Sequence, residues 1–447
     1  MDGKLRKRRC GRPPAIRPRF RGKSRHGQHG GPLPGGPEAD GNQSPAGNER
    51  RGQGMTAVPL TRKSQLLLLG LLTTIFFVNF LARIALAPLL PVIEKDLGLG
   101  HAGAGSFFMM MALGYAAGLF VSGYLSAKLT FRQTIALSAI AIGCAFFLVA
   151  ASRTLWAIRI GLVLTGIPAG IYLPSGITTI TASVSPANWG KAISIHELAP
   201  SLAYMAAPLI VEGLLVFFPW QGVLALIGGV SFILGLFFLR LGQGGDFKGE
   251  APTPGNIRLL IGKPAFWIMV ALFSLAIAFS MGLYSMMTLY LVAERGIDRG
   301  LANTLVGLSR LPVLAIAPIS GWVSDRFGPK PTLTAALLFS GLMTILLGIL
   351  PDRWMILMLF LQPMLMICFF PAGFTVLSRI VPQASRNLSI SLTVLIAYLI
   401  GGGLIPIALG AFGDAGAFGL AFIIVGSLIL LSVFLIPALK IREVEEG

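Results

Sequence analysis

Residues Gly321 to Lys330 read GWVSDRFGPK and lie between two long apolar runs. Gly321 reads as a point where two helices approach closely. Asp325 and Arg326 fall at a membrane surface, Gly328 supplies a turn, and Lys330 adds a second cation. A degraded copy, GYLSAKLTFR, stands about two hundred residues earlier at Gly123 to Arg132. There Ser126 matches Ser324, Lys128 matches Arg326 and Arg132 matches Lys330. A charged turn that recurs between apolar segments implies a duplicated membrane domain.

Working outward, 54% of the residues are hydrophobic and 12% are charged, against roughly 25% charged in soluble domains. Apolar runs of the ~20 residues needed to cross a bilayer recur about twelve times. They fall at about 66–92, 104–127, 133–152, 154–182, 191–218 and 221–240, then at 265–292, 301–323, 331–351, 354–380, 388–411 and 416–438. Pro88, Pro91 and the charged turn Glu94-Lys95-Asp96 are expected to close the first. The predicted fold is all-α integral membrane, with about twelve transmembrane helices in two pseudo-symmetric six-helix bundles. The expected boundaries are a tail over 1–60, bundles over 61–240 and 265–440, a central loop over 241–264 and a C-terminus over 441–447. The halves repeat elsewhere too: Trp156 corresponds to Trp354, Pro174–Thr178 to Pro371–Thr375, and Pro186 to Pro382, at offsets of 196 to 198.

The net charge of +18 invites a nucleic-acid reading that its distribution opposes. Residues 1–54 carry thirteen Lys and Arg against four Asp and Glu, which is half the total. This Gly/Pro/Arg-rich segment lacks apolar periodicity and is predicted to be a disordered basic tail. A lipid-contacting tail, a targeting segment and an untranslated stretch preceding a start at Met55 all fit; the short polar lead from Met55 into the first apolar run favours the last. Loop cations are asymmetric, fifteen on the side of both termini against five on the other. That places both termini, the central loop and both charged turns in the cytoplasm. The expected location is a bacterial inner membrane, as a multi-pass monomer. Cys10, Cys144 and Cys368 form no CxxC, and the latter two read as packing residues. No P-loop, metal spacing or nucleophile elbow is present, so neither a cofactor nor enzymatic activity is expected.

The charged turn resembles the loop signature of the major facilitator superfamily, G-x-x-x-D-R-x-G-x-[KR], which joins the second and third helix of each half. The second copy matches well. In the first, Ala127 replaces the acid and Thr130 the second Gly. The resemblance covers about residues 61–440. It implies a transporter with alternating access, in which Asp325, Arg326, Gly321 and Lys128 serve gating. Asn79 to Arg83, NFLAR, is similar to the N-Y-x-D-R element of the organic-anion (anion:cation symporter) group, in which the Arg helps hold an anionic substrate. Ala82 stands where that element has its acid. GIPAG at Gly166 to Gly170 similarly carries Ala169 where a Glu is expected.

Charges inside apolar runs are the functional candidates, because each needs a partner or a wet cavity; insertion of an ionised group costs at least ~2.5 kcal/mol. Arg83 and Arg310, one from each half, are the expected substrate-binding cations, with Asn79 and Tyr284 beside them. An Arg fork suits a carboxylate or phosphate. His196 and Glu197 are the coupling candidates in place of the two lost acids. Arg159 and Glu212 are further intramembrane charges and are expected to pair with each other or reach water. The expected function is secondary transport of a small organic anion, with proton coupling through Glu197 or His196. Two alternatives stay open: an exporter of hydrophobic or cationic compounds, and a non-transporting sensor or scaffold on the same fold.

Overall fold

A computed structural model describes residues 61–185, 188–249, 260–380 and 386–439. The tail 1–60 with Met55, the loop cation Arg258, the landmarks Pro186 and Pro382, and the C-terminus 441–447 lie outside the described residues.

Among the described residues, twelve helical segments are long and apolar enough to cross a membrane. In chain order they are α1 (Arg62–Leu97), α2 (His101–Lys128), α3 (Phe131–Ala151), α4 (Leu155–Ser183), α5 (Trp189–Leu215), α6 (Trp220–Leu241), α7 (Pro264–Ala293), α8 (Arg299–Ala317), α9 (Pro329–Ile349), α10 (Asp352–Arg379), α11 (Ser389–Asp414) and α12 (Phe418–Leu435). Helix α8 continues to Phe327. The fold is all-helical, as the apolar runs predict. Local signals set several starts. The Thr61 hydroxyl caps α1 through Ser64 N–H, Thr130 and Gln133 form a capping box on α3, and Asp298 accepts from Gly300 and Leu301 at the start of α8.

Helix α1 does not close at Pro88 and Pro91. It breaks at Ala85, resumes, and runs through Glu94-Lys95-Asp96 to a left-handed Gly98 at φ 62°. Pro88 lies in the first turn after the break, where its missing N–H has no helical partner to lose. Prolines explain further breaks. Pro200 cannot bond the carbonyl of His196, and α5 breaks at Glu197; Pro312 cannot bond that of Leu308, and α8 breaks at Ser309–Arg310. Helices α7 and α11 each contain a π-helical turn, Ala278–Leu283 and Tyr398–Leu404.

Small residues bring helices into backbone contact. A Cβ on Gly114, Gly166 or Gly170 would strike backbone atoms between α2 and α4. Gly105 against Pro406 and Gly410 against His101 do the same between α2 and α11, across the two halves. Helix α1 packs on α7 and α5 on α8, so among the described residues the halves meet mainly along these three helix pairs. Gly321 differs from expectation: among the described residues nothing lies within 4 Å of the Cβ it lacks, so no helix is in close contact at that position here. Gly328 does make the expected turn, at φ 85°. Cys368 is buried, but Cys144 is exposed on the helical surface rather than packed.

The chain after α6 folds back onto the degraded turn. Phe131 N–H donates to the Phe247 carbonyl, Arg132 N–H to that of Gly245, and Gly249 N–H to that of Ser126. The Arg132 side chain adds bonds to Asp246 Oδ1 and to the Leu239 carbonyl.

Candidate functional site

Arg83 is two residues before the break in α1 and is 5% exposed. Its Nε donates to the Tyr398 hydroxyl at 3.2 Å, across the two halves. Three rings surround the guanidinium: Tyr115, Phe80 and Tyr398, with centroids 4.3, 4.5 and 5.0 Å from Cζ. Ring faces present negative charge to a cation, so the cage holds the guanidinium without neutralising it. Arg310 occupies the break in α8 and is 7% exposed. Its Cζ lies 4.9 Å from the Tyr284 ring and 5.5 Å from that of Tyr204, and its Nε is buried without a hydrogen-bond partner.

One aromatic layer links the two cations. Phe80 meets Tyr204 edge-on at 5.0 Å, Tyr204 meets Tyr284 at 4.7 Å, and the Tyr284 hydroxyl donates to the Tyr204 carbonyl at 3.0 Å. Tyr115 stacks on Tyr398 at 4.5 Å. Phe80, Tyr115 and Tyr204 come from the first half, and Tyr284 and Tyr398 from the second. Among the described residues no carboxylate pairs with either Arg. Of the expected set, Arg83, Arg310 and Tyr284 thus share one layer. Asn79 does not: its Nδ2 donates to the Ala169 carbonyl at 3.4 Å and its Oδ1 is buried unpaired, so it ties α1 to α4.

His196 and Glu197 sit at the break in α5. The ring is fully buried and its Nδ1 is 3.3 Å from Glu197 Oε1; the Glu197 side chain is 47% exposed. The pairing of Glu212 is corrected. It binds Arg299 of the other half with both oxygens, at 3.2 Å from Nε and 2.9 Å from Nη2, and accepts from Asn303 Nδ2 at 2.8 Å. Arg159 instead donates to Ser106 Oγ at 3.2 Å and lies over the Trp156 ring. The part of α5 that bears Glu212 packs on α1 and α8, whereas α4, which bears Arg159, packs mainly on α2 and α3.

On the same face as Glu212, Asp414 at the end of α11 caps the start of α2, accepting from His101 N–H at 2.6 Å and Ala102 N–H at 3.0 Å. Asn303 Nδ2 also reaches the Pro88 carbonyl at 3.4 Å. The polar contacts that join the halves among the described residues therefore lie at mid-depth or on this face, opposite the turns at Lys128 and Asp325. Asp325 and Arg326 are exposed and make no ion pair with a described residue. Among the described residues, polar contacts latch one face, and none joins the halves on the other.

Sequence reasoning did not single out Tyr398, Phe80 or Tyr172, which read as ordinary apolar-run aromatics. The available signal was proline: Arg310 precedes Pro312 by two residues, and His196 precedes Pro200 by four. Broken helices inside a membrane free backbone groups and mark sites.

Comparison with known proteins agrees with this architecture. The chain is 22% identical over 266 residues to the membrane sensor protein UhpC of Escherichia coli (strain K12), which covers 53% of this chain and 61% of that relative. A bacterial homolog to the human lysosomal transporter Spinster, in an inward-facing and occupied conformation, superposes with a TM-score of 0.71 at 17% identity, over 85% of this chain and 97% of the other. The D-xylose-proton symporter superposes at 0.68 and 15% identity, over 85% and 98%. A model of the Major Facilitator Superfamily matches residues 72–311 and 280–446. Twelve spans in two halves that meet around a mid-depth layer, together with that match over most of the length, make this chain a member of the Major Facilitator Superfamily, a family of membrane transporters rather than enzymes.

Proposed function

We propose that the protein carries a small organic anion, bound between Arg83 and Arg310. The observation that carries this reading is two buried guanidiniums, one from each half, held by rings and paired with no acid among the described residues. An anion reaching the layer would be met from both sides, by a cation that already exists at depth and by donors with no other partner. Arg offers a fork that fits a carboxylate or phosphate, and the rings suit a flat or apolar body. The exporter alternative needs a free acid at depth. Glu197, the one deep candidate the sequence offers, is engaged with His196.

The loop cations support an orientation with both termini in the cytoplasm, so the latched face is the outer one and the chain faces inward. We place it in a bacterial inner membrane as a monomer, with His196 and Glu197 as the proton-coupling pair.

The test is uptake into proteoliposomes of a panel of labelled carboxylates and phosphate esters, with and without a pH gradient. Uptake that disappears in Arg83→Ala and Arg310→Ala supports the reading; normal transport in both rules it out. A second reading, a sensor that binds without transporting, is favoured by the similarity to a membrane sensor protein. It predicts saturable anion binding by the purified protein and no uptake.

A further inference from the structure

His196 is enclosed on every side. Phe76 stacks on its ring at 4.5 Å with planes 5° apart, Tyr172 Oη is 3.0 Å from Nε2, and Glu197 Oε1 is 3.3 Å from Nδ1. The direction of the bond to Tyr172 can be deduced. Tyr172 Oη also lies 2.6 Å from the backbone carbonyl oxygen of Leu72, which can only accept. The single hydroxyl proton therefore points at Leu72. The hydroxyl oxygen is left to accept from the ring, so Nε2 carries a hydrogen.

A neutral imidazole has one N–H. With that hydrogen on Nε2, Nδ1 would turn a lone pair toward an ionised Glu197, and the contact would repel. It attracts only when one more proton sits in it, on Nδ1 or on Oε1. We propose that His196 and Glu197 form a single proton-binding site, loaded in this conformation, and that Tyr172 is the positioning residue that fixes which nitrogen takes the proton.

The surroundings fit such a site. The ring is sealed at 0% exposure, whereas the Glu197 side chain is 47% exposed, so the proton enters and leaves by the carboxylate. On discharge the proton passes to water. A neutral ring with its hydrogen on Nε2 and a carboxylate remain, and their facing lone pairs push Glu197 away. Glu197 is the break in α5, so its movement is free to bend that helix. Of the titratable and charged groups on the packed elements, Tyr172 of α4 and Glu197 touch the ring. Arg62, Lys63 and Arg83 lie at other levels of α1, Arg159 is thirteen residues before Tyr172 on α4, and Lys191 is exposed in the first turn of α5. None of these cations pairs with either member of the site.

This inference rests on the transporter reading for its purpose but not for its chemistry, and its test needs no cargo. The probe is nitrogen NMR of the full-length protein, labelled at histidine, in lipid nanodiscs near neutral pH, with His196→Asn to assign the signal. Infrared difference spectra of Glu197→Gln against wild type read the carboxyl group. The expected wild-type result is a hydrogen on Nε2 plus a second proton, seen on Nδ1 or as a protonated Glu197 carboxyl. Glu197→Gln should leave one hydrogen, on Nε2. Tyr172→Phe should let the ring move its single hydrogen to Nδ1, facing an ionised Glu197, with the extra proton lost. A wild-type ring whose only hydrogen is on Nδ1, or a neutral ring beside an ionised Glu197, overturns the proposal and leaves the anion reading intact. Wild-type liposomes that ignore every anion tested sink the cargo instead and leave the proton site standing.

Discussion

Arg83 and Tyr398 are 315 residues apart in the chain and are joined by one hydrogen bond, Nε to hydroxyl, at 3.2 Å. The bond crosses from the first half to the second, so the cation is shared between the two bodies that must move against each other. Tyr398→Phe keeps the ring beside the guanidinium and deletes only the acceptor. A hydrogen bond to a charged group contributes about 1.5 kcal/mol or more, equivalent to roughly a tenfold change in affinity. Because this bond is made without cargo and joins the halves, Tyr398→Phe is expected to shift the balance between joined and parted halves about tenfold, seen as a changed apparent KM for uptake, and Arg83→Ala to abolish uptake. Concentration-dependent uptake into proteoliposomes measures both.

Arg310 gives a prediction whose sign separates a binding residue from a structural one. A buried cation without an acid partner is a liability to the folded protein, by ~2.5–3.5 kcal/mol on insertion scales. Arg310→Met should therefore lose uptake while its thermal unfolding midpoint stays level or rises. Arg310→Lys keeps the charge and loses the fork, and is expected to transport at a small fraction of the wild-type rate. A large drop in melting temperature for Arg310→Met would mean the side chain holds the fold instead.

The latch on the face opposite the charged turns is polar and partly exposed, with side chains 37% accessible for Arg299 and 21% for Glu212. Screening limits such a pair to about 1 kcal/mol. That is enough to shift a balanced conformational equilibrium severalfold, without unfolding anything. Glu212→Gln should open this face. In a background lacking native cysteines, Ala302→Cys on α8 is fully buried in wild type and should react with a membrane-impermeant maleimide severalfold faster once Glu212 is replaced.

The fold was legible because lipid imposes a length and a composition on every span, and the runs declare themselves without help from tertiary context. Arg83 and Arg310 were legible for a related reason, since a charge stands out against an apolar background. Tyr398 and Phe80 were not, because an aromatic in such a helix reads the same whether it faces lipid, packing or a cation. The partner of Glu212 was also hidden. Helix periodicity says that the side chain is at depth but not which helix stands opposite, and the pairing of α5 with α8 emerges only from the assembled halves. The two lost acids, Ala82 and Ala169, were visible as departures, and the structure fills their surroundings with packing: Ala169 is buried and its carbonyl accepts from Asn79.

Gly321 and Gly118 look alike in sequence, each a Gly in an apolar helix, and they separate a stability effect from a turnover effect. A Cβ on Gly118 would run into the Ile167 carbonyl, so Gly118→Ala forces α2 off α4 and is expected to lower stability by about 1–3 kcal/mol. A Cβ on Gly321 meets nothing within 4 Å in this conformation. Gly321→Ala should therefore leave the melting temperature unchanged or raise it, since Ala is the better helix former by about 1 kcal/mol. If the charged-turn face closes during the cycle, Gly321 becomes the point of contact there and the added methyl obstructs it. The expected pattern is undiminished stability with slowed net transport, the loss growing in Gly321→Leu. Melting curves and initial uptake rates on the same preparations test it, and full-rate transport by Gly321→Leu would show that this face never packs at Gly321.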